Sequence, residues 1–169
     1  MHIINNPVIP LTTPIIAGMP LDGKIKICGL TVIGPTHGFV VELLTPGGCI
    51  MHLGVNYKEN FISFNNFVGG GWQLEERHVC VFGLGTNFTL KIKNHSNHFS
   101  IHVNGRHVCH FVHRGNPHHI NGLHIRGDVV VGQVHFERFP AHNGGGVQVS
   151  APAVAVVSQA SPVVVAQPP

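Results

Sequence analysis

Residues 51–77 read MHLGVNYKENFISFNNFVGGGWQLEER, and the fold turns on how they are read. As a strand, the first part sends His52, Gly54 and Asn56 to one face and Met51, Leu53, Val55 and Tyr57 to the other. One face recognises and the other packs. The apolar segment Phe61 to Phe67 is a second strand that can place Asn65 on the recognising face. Gly69, Gly70 and Gly71 then make a turn that delivers Trp72, the only tryptophan of the chain, and Glu75 and Arg77 follow at strand alternation. A flat ring beside an imidazole, an amide, a carboxylate and a guanidinium suits a sugar, whose apolar C–H face stacks while its hydroxyl rim takes hydrogen bonds.

Outward from this stretch the same grammar repeats. Lys24-Ile25-Lys26-Ile27 alternates, and Phe39 to Leu44 forms a strand closed by Pro46-Gly47-Gly48. The segment from Glu75 to Phe82 is expected to be the last strand of the central group. Phe88 to Lys93 alternates with Phe88, Leu90 and Ile92 inward. Phe99 to Val103, Asn104-Gly105 and Arg106 to Val112 form the clearest hairpin, because Asn-Gly favours a two-residue turn. Leu123 to Asp128 and Val129 to Phe136 close the series. Pro7, Pro10, Pro14 and Pro20 confine the first 23 residues to short edge pieces. Some ten to twelve short strands predict an all-β, two-sheet antiparallel sandwich.

Residues 1–140 are expected to form one domain, and residues 141–169, a Val/Ala/Pro/Gly-rich segment, a disordered tail. The formal net charge is only +3, without a Lys/Arg run to track phosphates, so nucleic acid is not an expected partner. No apolar run approaches the ~20 residues of a membrane helix, and the N-terminal residues lack a basic-then-apolar leader, so synthesis in the cytoplasm is the expectation. Cys28, Cys49, Cys80 and Cys109 stand singly in apolar segments and read as reduced core thiols. Fifteen histidines make the charge sensitive to pH between about 5 and 7.

Four pieces in order resemble the galectins, β-galactoside-binding lectins with a jelly-roll carbohydrate-recognition domain: Trp72 to Arg77, Phe99 to His107, Phe111 to Arg114, and Gly127 to Val129. The similarity runs from about Asn5 to Phe139. It implies a galectin-type, concanavalin A-like jelly roll that binds β-galactoside-containing glycans or glycoproteins without a cofactor. In the family, sugar is contacted by a His-x-Asn-x-Arg strand, an Asn on the next strand, a Trp after a glycine-containing turn, and Glu and Arg beyond. His52, Asn65, Trp72, Glu75 and Arg77 match, with Asn56 as a further polar contact, whereas Gly54 stands where the family has Asn and Asn56 where it has Arg. Losing one neutral and one charged hydrogen bond weakens binding by about 2–4.5 kcal/mol, on the order of 30-fold to 2,000-fold. The resemblance also permits a homodimer and release from the cell by a leaderless route.

Other classes fit less well. A glycosidase needs two carboxyls about 5–9.5 Å apart across the bond, and Glu75 and Glu76 are adjacent and so point to opposite faces. His102 and His107 become cross-strand neighbours if Asn104-Gly105 turns tightly, and His95-x-x-His98 and His118-His119 lie in polar loops, but none matches a structural zinc spacing. His107, His113 and Arg114 are expected to be structural and distal to the sugar site. The competing reading is a galectin-like domain that has lost sugar recognition and binds proteins.

Overall fold

The computed structural model describes residues 1–140; the expected tail lies outside the described residues. Thirteen strands are laid down in chain order: β1 (His2–Asn5), β2 (Leu11–Pro14), β3 (Lys24–Thr31), β4 (Gly38–Thr45), β5 (Gly48–Asn56), β6 (Phe61–Val68), β7 (Gly71–Trp72), β8 (Glu76–Val79), β9 (Asn87–Asn94), β10 (His98–Val103), β11 (Arg106–Val112), β12 (Gly122–Gly127) and β13 (Val129–Glu137). Among the described residues a single 3-10 turn, Pro117–His119, interrupts them. No helix among the described residues is long and apolar enough to cross a membrane.

The strands form two antiparallel sheets, one in the order β1-β13-β3-β9-β10-β11, the other β2-β12-β4-β5-β6-β7 with β8 also on β6. Alternation decides which side chains lie between them. From the first sheet come Ile25, Ile27, Leu90, Ile92, Phe99, Ile101, Phe111 and Val134; from the second, Phe39, Val41, Leu43, Met51, Leu53, Ile62, Phe64, Leu123 and Ile125, all buried. Rings join the sheets: Phe39 stacks on Phe88 at 5.3 Å and Phe64 on Phe111 at 5.6 Å. Each such side chain contributes about 1.5–3 kcal/mol by leaving water. The all-β sandwich expected from the sequence is the fold observed.

The Asn104-Gly105 turn forms with both residues at positive φ, 52° and 84°, as a type I′ turn requires. Gly127 to Val129 proves to be a staple: Asp128 Oδ2 accepts the N–H groups of Thr36 and His37, both at 2.8 Å, which pins the turn leading into β4. Two glycines permit close strand contact at the ends of β4 and β5. A Cβ on Gly38 would lie 1.8 Å from the Val55 carbonyl oxygen, and one on Gly48 would lie 2.0 Å from that of Phe67. All four cysteines are free thiols, Cys49 and Cys109 buried, Cys28 and Cys80 half-buried. The Glu75 to Phe82 strand is shorter than expected: β8 covers only Glu76–Val79. Its partners on β6 run from Phe61 to Phe64, and β6 begins at Phe61, so no ladder is available past Val79.

Candidate functional site

On the outward face of the seven-stranded sheet, the pairing register aligns Thr12, His124, Glu42, His52 and Asn65 in one row across β2, β12, β4, β5 and β6. A second row holds Arg126, Val40, Gly54, Ser63 and Arg77. Five of the six sequence-derived site residues, His52, Asn65, Trp72, Glu75 and Arg77, thus gather around the β5–β6–β7–β8 end of this face. Asn56 closes β5 at its edge.

Glu42 anchors the first row. It has no exposed surface, yet it accepts from His52 Nδ1 at 2.7 Å and from Arg126 Nη1 at 3.1 Å. Burial pushes its carboxyl up, but the His52 hydrogen bond and the charges of His52, Arg126 and His124 outweigh it and hold the carboxyl below its ordinary value. An ionised Glu42 fixes the proton of His52 on Nδ1 and turns Nε2 away from it. On the other side, His124 Nδ1 meets Thr12 Oγ1 at 2.7 Å. Burial, opposed by Glu42 and reinforced by Arg126, pushes His124 down to about 4, so it is neutral at pH 7.

Trp72 is half-buried and packed edgewise. Its ring meets that of His52 at 4.8 Å and 73°, and that of Phe67 at 5.1 Å and 71°. Its Nε1, like Arg126 Nη2, is buried and has no partner among the described residues. Asn65 is buried and nearly saturated: its oxygen accepts from Asn66 N at 2.8 Å and Arg114 Nη1 at 3.3 Å, and its nitrogen donates to the Gln73 carbonyl at 3.3 Å. Glu75 and Arg77 form an ion pair, with the Arg77 guanidinium 3.9 Å above the Phe61 ring. Asn56 Oδ1 accepts from Glu59 N at 2.7 Å and so serves the β5–β6 turn, leaving its amide nitrogen for other uses. Gly54 sits in close quarters: a Cβ there would lie 3.0 Å from Ser63 Oγ and 3.2 Å from His52 Nε2.

Arg114 lies nearer the site than expected. Its Nη1 donates to Asn66 Oδ1 at 3.0 Å and the Leu74 carbonyl at 2.6 Å, and Nη2 pairs with Glu76 at 2.9 Å. The chain after β11 carries it underneath the β6–β8 end, where one planar guanidinium holds four groups together. Glu76 therefore faces Arg114 while Glu75 faces Arg77, in keeping with the opposite faces expected of adjacent strand residues. Glu42, His124, Arg126, Ser63 and Phe61 also escaped the sequence reading. The available signal was Glu42, a lone acid inside the apolar run Phe39 to Leu44, which demands buried partners.

The sequence profile of the galactoside-binding lectins matches residues 10–136. Over 123 residues the chain is 35% identical to the 32 kDa beta-galactoside-binding lectin of Haemonchus contortus, covering 72% of this chain and 43% of that protein. It is 26% identical over 140 residues to the probable galaptin lec-8 of Caenorhabditis elegans, covering 82% and 78%. The chain thus spans less than half of the Haemonchus lectin. The crystal structure of the Caenorhabditis elegans galectin LEC-6 superimposes with a TM-score of 0.76 at 29% identity, covering 80% of this chain and 96% of that one.

Proposed function

Because the chain belongs to the galactoside-binding lectin family, a family of lectins rather than enzymes, we propose that it is a non-catalytic lectin for β-galactoside-containing glycans. The observation that carries this reading is the edge contact of His52 with Trp72, with His52 tethered to ionised Glu42. The tether leaves Nε2 as an acceptor for a sugar hydroxyl, beside a ring on which the C–H face of galactose stacks. Arg77, Glu75 and the remaining N–H of Asn65 read further hydroxyls, and Asn56 donates from the edge. Gly54 and Asn56 remove two of the family's contacts, so affinity for simple lactose is low.

The test is a lactose titration followed by Trp72 fluorescence, with sucrose as control, repeated on Trp72→Ala by calorimetry. A saturable lactose-specific signal that vanishes in the variant supports the lectin. Silence up to tens of millimolar lactose and across a broad galactoside panel overturns it and favours the second reading, a protein-binding galectin domain. That reading draws on Gly54 and on the commitment of Asn56 Oδ1 to Glu59. Four unpaired thiols support residence in the reducing cytoplasm, with leaderless release giving access to extracellular glycans.

A further inference from the structure

The outward face of the six-stranded sheet, on the other side of the sandwich from Trp72, carries a line of cationic and titratable groups. Ile25, Ile27, Leu90, Ile92 and Ile101 point into the core, so the residues alternating with them point out. The register sets His135, Lys26, Lys91, His102 and His107 side by side on β13, β3, β9, β10 and β11. At about 4.8 Å between neighbouring strands the row is roughly 19 Å long.

The adjacent row differs. There Lys24 lies 3.6 Å from Glu137, and Lys93 lies 3.5 Å from Asp22. Lys26 and Lys91, directly opposite each other, form no ion pair among the described residues. Like charges opposite one another destabilise an antiparallel pair. The other acids lie elsewhere: Glu42, Glu75 and Glu76 pair with arginines, Asp128 holds Thr36 and His37, and Glu59 stands in the β5–β6 turn of the other sheet. An anion that relieves the Lys26–Lys91 repulsion must come from outside.

We propose that this row binds a linear sulfated polysaccharide laid across the strands. A single line of charge flanked by a neutralised row matches a polymer chain better than a flat anionic membrane. The described outward positions of these strands carry no Phe, Tyr or Trp on which nucleic-acid bases stack. Lysine and imidazole meet sulfate as point charges, and the imidazoles also hydrogen-bond sugar hydroxyls.

Binding strengthens in acid. The groups facing the row are Lys24, Lys26, Lys91 and Lys93, the imidazoles of His95, His98, His102, His107, His110 and His135, and the carboxylates of Asp22 and Glu137. Partial burial, then His107 and Lys91, push His102 below its ordinary value; burial and Lys93, opposed by Asp22, do the same to His95, and burial with neighbouring imidazoles to His98. These three are therefore mainly uncharged at pH 7.5. Bound sulfates favour their charged forms, so binding takes up protons and affinity rises as pH falls.

Calorimetry of the full chain with a heparin hexasaccharide, in 50 mM salt at pH 7.5 and 5.5, tests this. Affinity is expected to rise at least tenfold at the lower pH with proton uptake, and to fall at least tenfold in Lys26→Gln/Lys91→Gln, whose melting temperature rises as the repulsion goes. Lys24→Gln/Lys93→Gln loses less, and the lactose titration changes in neither variant. No binding at pH 5.5, equal binding by Lys26→Gln/Lys91→Gln, or a lowered melting temperature in that variant overturns the site. Tighter binding of oligo-dT or of phosphatidylserine vesicles overturns its assignment to sulfated polysaccharide. The face lies opposite the galactoside site, so either outcome leaves that reading intact.

Discussion

Glu42 is a carboxylate with no exposed surface that nonetheless carries charge, because His52 and Arg126 both donate to it. Glu42→Gln keeps the shape and removes the charge, leaving Arg126 without its counter-ion. Breaking such a pair costs about 3 kcal/mol, and with His52 no longer held in one tautomer the lactose signal disappears; urea unfolding and the fluorescence titration check the two effects. His124 sets an acid limit. An unfolded histidine takes its proton near 6.5, whereas folded His124 takes it at about 4, so the unfolded state binds the extra proton between these values. Its contribution to stability is complete above pH 6.5 and is lost as pH falls towards 4, with an amplitude of roughly 3 kcal/mol. His124→Gln should flatten the fall in melting temperature across that window. Of these residues only His52 was legible in the chain itself, through its spacing from Asn65 and Trp72. The Glu42–Arg126 pair joins positions 84 residues apart, and only strand register reveals it.

At the scale of elements, the site end of the sheet is held from below. β8 is paired with β6, and Arg114 supplies the link that ties β6, the Leu74 carbonyl and Glu76 together. Arg114→Ala should destabilise by about 3 kcal/mol, from the loss of several hydrogen bonds to a charged donor, and weaken lactose binding without touching sugar. Arg114→Lys should recover only part, since an ammonium cannot reproduce the fork. In the other sheet, Lys26→Glu converts a repulsive cross-strand pair into an attractive one and should raise stability by about 0.2–1 kcal/mol, read by thermal unfolding. Strand periodicity in Lys24 to Ile27, Phe88 to Lys93 and the Asn104-Gly105 hairpin was legible because local alternation and turn chemistry decide it. The end of β8 was not, because a strand stops where its neighbour stops, and nothing within Glu75 to Phe82 records the length of β6.

For the whole molecule, the core between the sheets is continuous, while the β7–β8 rim is thin. β4 and β5 have neighbours on both sides, whereas β8 has one four-residue ladder. Amide hydrogen exchange should therefore open Glu76–Val79 well before β4 and β5, with Arg114→Ala widening the gap. That two sheets face each other was legible in the count of short strands and in the resemblance. Which outward face lies where was not, because the rows His52–Asn65 and Lys26–Lys91 are assembled from strands far apart in sequence.

Gly38 has a consequence best put in genetic terms. Any missense change there places a carbon 1.8 Å from the Val55 carbonyl oxygen, and at Gly48 2.0 Å from that of Phe67. Gly38 meets only the backbone of one proposed sugar contact, Asn56, and Gly48 meets that of Phe67, yet both lie at ends of the strands that carry Glu42 and His52. Alleles at these codons would lower protein abundance rather than change specificity, and a screen for lost glycan recognition would recover them alongside the contact residues themselves.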